Sequence, residues 1–176
     1  VCGANDESSQ LWVNATTGCD VIEGLPVLFS FENGSLNCWE LYNSGINWYN
    51  SAVLYFNTYD QTYAYTPILV TGEEQVIVDF EVTPDWSDNG TSWTLGVASV
   101  TADGTDTLDM QQLTFSASTH VQFTLSMTEA ARLLFTNETP AGTFYIDDIA
   151  IRCVPDCGVP TGLALTEAVA NSLSFS

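Results

Sequence analysis

Gln75-Val76-Ile77-Val78-Asp79-Phe80-Glu81-Val82 decides the fold class. Read with a period of two, Val76, Val78, Phe80 and Val82 fall on one side. Gln75, Ile77, Asp79 and Glu81 fall on the other. That is a strand with one face in a core and one toward water. Residues 121–127 repeat the pattern, with Val121, Phe123, Leu125 and Met127 opposite Gln122, Thr124 and Ser126. Trp93, Leu95 and Val97 share one side of 93–100, while 131–136 and 144–152 are strand-like and apolar on both sides. Helical periodicity is almost absent. Asp88-Asn89-Gly90, Ala102-Asp103-Gly104 and Ala141-Gly142 are turn signals between the runs. Short strands with turns at this spacing imply an all-β, antiparallel jelly-roll β-sandwich.

Composition narrows the function. The 176 residues are 45% hydrophobic, enough to bury the core of one domain. Asp and Glu number 22 against two basic residues, both Arg, for a net charge of −20. Such a surface repels phosphate backbones and anionic lipid, so no nucleic acid partner is expected. No apolar run is long enough to span a bilayer, so no membrane insertion is expected. The surface attracts cations, calcium first among them. Without Lys there is no Schiff-base chemistry, and any Ser-His or Cys-His nucleophile must use His120, the single imidazole. A His-ligated zinc site has the same one residue to draw on. Carboxylate chemistry, calcium binding or no chemistry remain.

Residues 1–24, with Cys2 and Cys19, read as an N-terminal linker segment, 25–153 as the main domain, and 154–176 as a second linker with short strands. That last piece is too short for its own core, so it is either the start of a further domain or a packed tail. The opening Val1-Cys2-Gly3 reads as a mature or excised chain. Five Cys on an acidic, Lys-free chain favour an oxidising, extracytoplasmic compartment. Cys2 with Cys19, Cys153 with Cys157, and Cys38 with Cys153 are pairings that spacing alone leaves open.

Three stretches carry a family resemblance. They are Leu25-Pro26 with Phe31-Glu32-Asn33-Gly34 and Cys38-Trp39, then Thr66-Pro67-Ile68-Leu69-Val70, then Phe144-Tyr145-Ile146-Asp147-Asp148-Ile149-Ala150-Ile151. In this order, over residues 25–153, they resemble the cleaved-adhesin (choice-of-anchor J) domains and the related MAM domains. Thr16-Thr17-Gly18-Cys19 before them, and Cys157 to Pro160 with Gly162-Leu163 and 171–175 after them, resemble the borders of fibronectin type III domains. The resemblance implies a jelly roll within a large secreted or cell-surface protein of Gram-negative anaerobes. It further implies a role in adhesion, glycan or host-protein binding, or spacing, and no catalytic residues. Cys38 departs from the bacterial pattern, although MAM domains do place a Cys before that Trp.

On a regular strand Asp147 would share a face with Tyr145, Ile149 and Ile151, and Asp148 one with Phe144, Ile146 and Ala150. Both faces are apolar, so at least one carboxylate is drawn inward, and a bound cation or an Arg must compensate it. Calcium takes six to eight hard oxygen ligands. The resemblance implies a structural calcium held by Glu32 with Asp147 or Asp148, with Asn33 lending an oxygen. The competing reading has the acids on backbone N–H groups or Arg152.

Aromatic rings can stack on the apolar faces of sugars. Trp86, in the polar stretch 83–90, is the best exposed ring, followed by Trp48, Tyr49 and the run Tyr55, Tyr59, Tyr63, Tyr65. Trp39 and Trp93 sit in apolar contexts and read as core. Asp79 and Glu81, two apart on one strand, read as a solvated acidic face, since glycosidase acids flank the substrate from different strands. The stretch 101–109 lacks the spacing of an EF-hand loop and reads as a hairpin. Asp106-Thr107-Leu108 resembles a short bacterial O-glycosylation motif, and Asn14, Asn33, Asn89 and Asn137 begin Asn-X-Ser/Thr sites. The expectation is therefore a non-catalytic extracellular adhesion or carbohydrate-binding module, with a structural calcium. Its partners would be a glycan or host protein, and neighbouring domains of its own chain. The alternatives are a spacer or protein-interaction domain and, further off, a carboxylate glycosidase.

Overall fold

The computed structural model describes residues 21–32, 36, 38–47, 53–57, 62–85, 92–139, 142–155, 165–169 and 172–175. Strands are numbered in chain order. The first seven are β1 (Ile22–Glu23), β2 (Val27–Phe29), β3 (Glu40–Tyr42), β4 (Ser44–Asn47), β5 (Val53–Phe56), β6 (Thr62–Tyr65) and β7 (Leu69–Val70). Six longer ones follow: β8 (Gln75–Pro84), β9 (Trp93–Thr101), β10 (Thr107–Phe115), β11 (Thr119–Ser126), β12 (Ala130–Asn137) and β13 (Phe144–Cys153). A terminal hairpin is formed by β14 (Leu165–Val169) and β15 (Ser172–Phe175).

Two sheets make the sandwich. The first runs β11-β8-β13-β5-β4, with β2 beside β5 along the same edge of β13. In the second, β12 is central. On one side it pairs with β6 and β7, which carry β3 and β1 outward; on the other it pairs with β9, which carries β10. All pairings are antiparallel except the two-residue ladder of β1 with β7. Ile22 and Glu23 thus join the sheet ahead of Leu25.

The core lies between the inner faces. Val76, Val78, Phe80 and Val82 of β8 and Leu54 and Phe56 of β5 meet Trp93, Leu95 and Val97 of β9 and Leu133 and Phe135 of β12. The sets anticipated for 75–82, 121–127 and 93–100 all face inward. Each large apolar side chain contributes about 1.5–3 kcal/mol by burial. Edge-to-face rings join the sheets, Phe80 to Phe135 at 5.8 Å and Phe115 to Phe144 at 5.6 Å. Trp39 packs on Phe29 at 5.1 Å and on Phe135 at 6.2 Å. Gly142 lets the chain pass close over Trp93, since a Cβ there would lie 2.6 Å from the indole Nε1.

Strand β13 departs from simple alternation. Phe144 and Ile146 are buried, and so are Ile149 and Ile151. The switch is a β-bulge: Asp147 pairs with Glu81, Ala150 with Asp79, and one extra residue sits between. Asp148 has φ +51°, the left-handed region that Asp tolerates better than most residues. The expectation that Asp147 lies beside Ile149 and Ile151 is therefore corrected. The bulge turns both acids away from the core while the isoleucines stay in it.

Candidate functional site

The acidic corner comes first. Glu32 is exposed in the turn after β2, and Asn33 lies outside the described residues. Asp148 is exposed and Asp147 half-buried. Burial pushes the Asp147 carboxyl up to about 6. The hydrogen bond that its Oδ1 accepts from the Asp148 N–H, 2.9 Å, works against the rise. The negative charges of Asp148 and Glu32 add to it. Among the described residues no three His, Cys, Asp or Glu side chains group closely enough to hold a metal ion.

The rest of the first sheet's outer face is a polar clasp. His120 and Gln122 of β11 stand opposite Glu81 and Asp79 of β8. The His120 Nδ1 lies 2.9 Å from Glu81 Oε1, and its Nε2 lies 3.2 Å from Asp79 Oδ1. Gln122 donates to Asp79 Oδ2 at 3.1 Å, and Arg152 Nη2 lies 3.6 Å from the same oxygen. Tyr145 donates its hydroxyl to Asp85 at 2.6 Å and stands opposite Tyr55. Both nitrogens of the single imidazole face carboxylates, which leaves none to activate a Ser or Cys. Asp79 and Glu81 are thus more than a solvated acidic face: they grip the His and one of the two Arg.

The second sheet presents rings instead. Tyr42 of β3 and Tyr63 of β6 are register partners with parallel rings, centroids 5.3 Å apart and planes 16° apart. Tyr65 meets Tyr63 edge-on at 5.4 Å. These tyrosines point outward because Leu41, Thr62 and Ala64 between them point inward. One row across the strands reads Glu40, Tyr65, Leu134, Ala98, Met110; the next reads Tyr42, Tyr63, Thr136, Gly96, Gln112. At about 4.8 Å per strand, each row spans about 19 Å. Tyr42 is 48% exposed and Met110 45%. Arg132 completes the face: its Nε donates to the Thr66 carbonyl at 2.7 Å, its Nη1 to Glu40 at 3.0 Å, and its guanidinium lies 4.9 Å over the Tyr65 ring. Thr136 donates to Glu138 Oε1 at 2.6 Å beside Gly96.

Trp86, Trp48, Tyr49 and Tyr59, the rings singled out from the sequence, lie outside the described residues. Tyr55 is separated from Tyr63 and Tyr65, since β5 and β6 belong to different sheets. Tyr42, Glu40 and Arg132 escaped sequence reading, although the alternation of Glu40-Leu41-Tyr42 already put the outer two on one side. The hairpin reading of 101–109 holds: Asp103 accepts from the Thr101 hydroxyl and from the Thr105 N–H and hydroxyl, which holds its carboxyl below the usual range. Asn137 is committed, its amide donating to the carbonyls of Asn57 at 3.1 Å and Gly142 at 2.7 Å. Thr107 is exposed at the start of β10. Cys153 is disulfide-bonded; Cys2, Cys19 and Cys157 lie outside the described residues. No described helix is long and apolar enough to cross a membrane.

No protein-family model matches the chain, and no curated protein does. Solved structures do. The chain is similar to the K1 cleaved-adhesin domain of the Lys-gingipain of Porphyromonas gingivalis W83, with TM-score 0.54 and 16% identity over 74% of this chain and 99% of that one. It is similar to the C-terminal family 22 carbohydrate binding module of Clostridium thermocellum Xyn10B, with TM-score 0.50 and 16% identity over 74% of this chain and 94% of that one. An Arthrobacter globiformis T6 isomalto-dextranase matches at TM-score 0.54 and 10% identity, over 72% of this chain but 23% of that enzyme. At such identities the likeness is one of fold. The fold is a jelly-roll β-sandwich.

Proposed function

We propose that the chain is a non-catalytic, extracytoplasmic glycan-binding or adhesion module of the cleaved-adhesin type, part of a larger secreted or surface protein. It holds its ligand on the tyrosine face of the second sheet. The observation that carries this reading is the parallel Tyr42–Tyr63 pair with Tyr42 half open to solvent. A ring that costs little entropy to order and offers a flat apolar face is what a pyranose stacks on. The solved structures that share the fold include both a cleaved adhesin and a carbohydrate binding module, which supports the reading. A carboxylate glycosidase is disfavoured, because Glu81 and Asp147, register partners on adjacent strands, are already engaged by His120 and by the Asp148 N–H.

The reading includes a structural calcium toward which Glu32, Asp147 and Asp148 would have to close, since as they stand the three do not group closely enough to hold one. These are hard oxygen donors, and the charge of Glu32 reaches Asp147. Three carboxylates fall short of a full calcium shell, so Asn33 and backbone carbonyls would have to complete it. Bound there, the ion would offset the mutual repulsion of the acids and tie the β2 end to β13.

Affinity electrophoresis through gels carrying soluble polysaccharides tests the function. At least one polysaccharide should retard the wild type, and Tyr42→Ala should lose most of that retardation with an unchanged melting temperature. Full retardation of the folded Tyr42→Ala variant would remove the face from the site. Absence of retardation by any polysaccharide would favour the spacer or protein-interaction reading.

A further inference from the structure

We propose that the tyrosine face selects uncharged glycans and that Glu40 is the residue that closes it to acidic ones. This rests on the glycan reading above and goes beyond it by naming the sugar class. Among the described residues Arg132 is the one cation on this face; the other Arg of the chain, Arg152, lies on the first sheet beside Asp79. A guanidinium is the group best shaped to grip a sugar carboxylate or sulfate through paired N–H donors. Here that capacity is used internally. The Nε is spent on the Thr66 carbonyl, Nη1 on Glu40, and one flank of the plane on the Tyr65 ring. The Arg132 side chain is 14% exposed, while that of Glu40 is 61% exposed. Glu40 thus stands, as the chain's own carboxylate, where a ligand's carboxylate would pair.

The surroundings reinforce the choice. Glu138 hydrogen-bonds to Thr136, next to the Tyr63 row. The turn carrying Asp103 borders Tyr65, which lies 3.9 Å from where a side chain on Gly104 would begin. With a net charge of −20, an approaching uronate meets repulsion and, among the described residues, no unpaired cation on this face. A neutral sugar meets neither obstacle. It stacks on Tyr42 and can donate its hydroxyls to the oxygens of Glu40 and Glu138, charge-assisted hydrogen bonds of the stronger kind.

The test compares neutral probes (arabinoxylan, mixed-linkage β-glucan, dextran) with acidic ones (polygalacturonate, hyaluronan) in affinity gels at low salt. Wild type should be retarded by a neutral probe and by neither acidic one. Glu40→Gln should strengthen retardation by an acidic probe by roughly 3- to 10-fold, as expected for freeing one partly buried ion-pair partner. Glu40→Gln combined with Arg132→Gln should lose that gain. Circular dichroism melting checks that each variant folds. A second arm needs no variant: retardation of wild type by the neutral probe should be insensitive to added salt, and a steep fall would mark ionic recognition and overturn the proposal. Wild type retarded as strongly by acidic as by neutral probes, or a folded Glu40→Gln variant without the gain, would also overturn it, while leaving the glycan reading intact. Should no probe of either class retard the wild type, the glycan reading itself falls and this proposal with it.

Discussion

The two outward faces of the sandwich are built on the same alternating strand and have opposite chemistry. On the first sheet, Asp79, Glu81, His120, Gln122 and Arg152 find partners in one another across β11, β8 and β13. On the second, tyrosines stack across β3 and β6, and the one ion pair among the described residues there, Arg132 with Glu40, lies at the margin of the rings. A self-satisfied polar network has little left to offer a ligand, because binding would have to replace bonds already made. Exposed rings have surface to lose to a ligand and no internal bonds to break. The contrast is what supports placing the proposed binding function on the second sheet.

The largest effect is expected where the separation of faces is enforced. The bulge keeps Ile149 and Ile151 in the core while Asp147 and Asp148 leave it. Truncating both isoleucines, Ile149→Ala with Ile151→Ala, should cost about 4–10 kcal/mol through lost burial and the cavities left behind. The variant should fail to unfold cooperatively by calorimetry; a native-like melt would show that these two side chains do not anchor β13. Deleting Asp148 should by contrast be tolerated, because Ile149 then stands opposite Phe80, still inward, and the alternation runs on unbroken.

Next comes the direct comparison of rings. Tyr63→Ala should weaken glycan affinity by about 10- to 100-fold, the loss of one well-buried aromatic contact. Tyr55→Ala, on the opposite face, should change it by less than about 2-fold. Titration calorimetry with the retarding polysaccharide reads both, and equal losses would erase the distinction between the faces.

A smaller effect concerns Asp147. Its carboxyl titrates near 3.8 when free of the fold and near 6 within it. Between those values the folded chain keeps a proton that the unfolded chain has lost, so stability falls as pH rises through this window. In chelator, Asp147→Asn should raise the melting temperature at pH 7, and the gain should vanish below pH 4. With calcium in excess the sign should reverse, because the substitution would then remove a ligand. Wild-type melting that is the same with calcium and with chelator would argue against the ion.

The smallest effect is assigned to the clasp. His120→Gln breaks two exposed contacts and should cost about 0–1 kcal/mol, with glycan affinity unchanged. A larger fall in melting temperature would show that the first sheet's outer face contributes more to stability than exposed pairs usually do.

Much of this architecture is legible in the sequence. The alternation in 75–82 and 121–127 named the inward residues of β8 and β11 correctly, and Trp93, Leu95 and Val97 those of β9. The turn at Ala102-Asp103-Gly104 is where its composition put it, with Gly104 at φ +73°. Asp147-Asp148 was legible as a conflict between two apolar faces but not as a bulge. Nothing in the local pattern says which strand gains the extra residue relative to its neighbour.

The site was hardest to read, since Tyr42, Tyr63 and Arg132 are brought together from strands far apart in the chain. Side-chain alternation follows from the backbone of a single strand, so the sequence by itself determined the strands, their buried sides and the acidic, lysine-free surface. Which strands become neighbours is a non-local choice made by core packing. Only the tertiary structure decided that Tyr55 and Tyr63 face opposite ways, that Glu40 meets Arg132, and that two adjacent aspartates leave the core together.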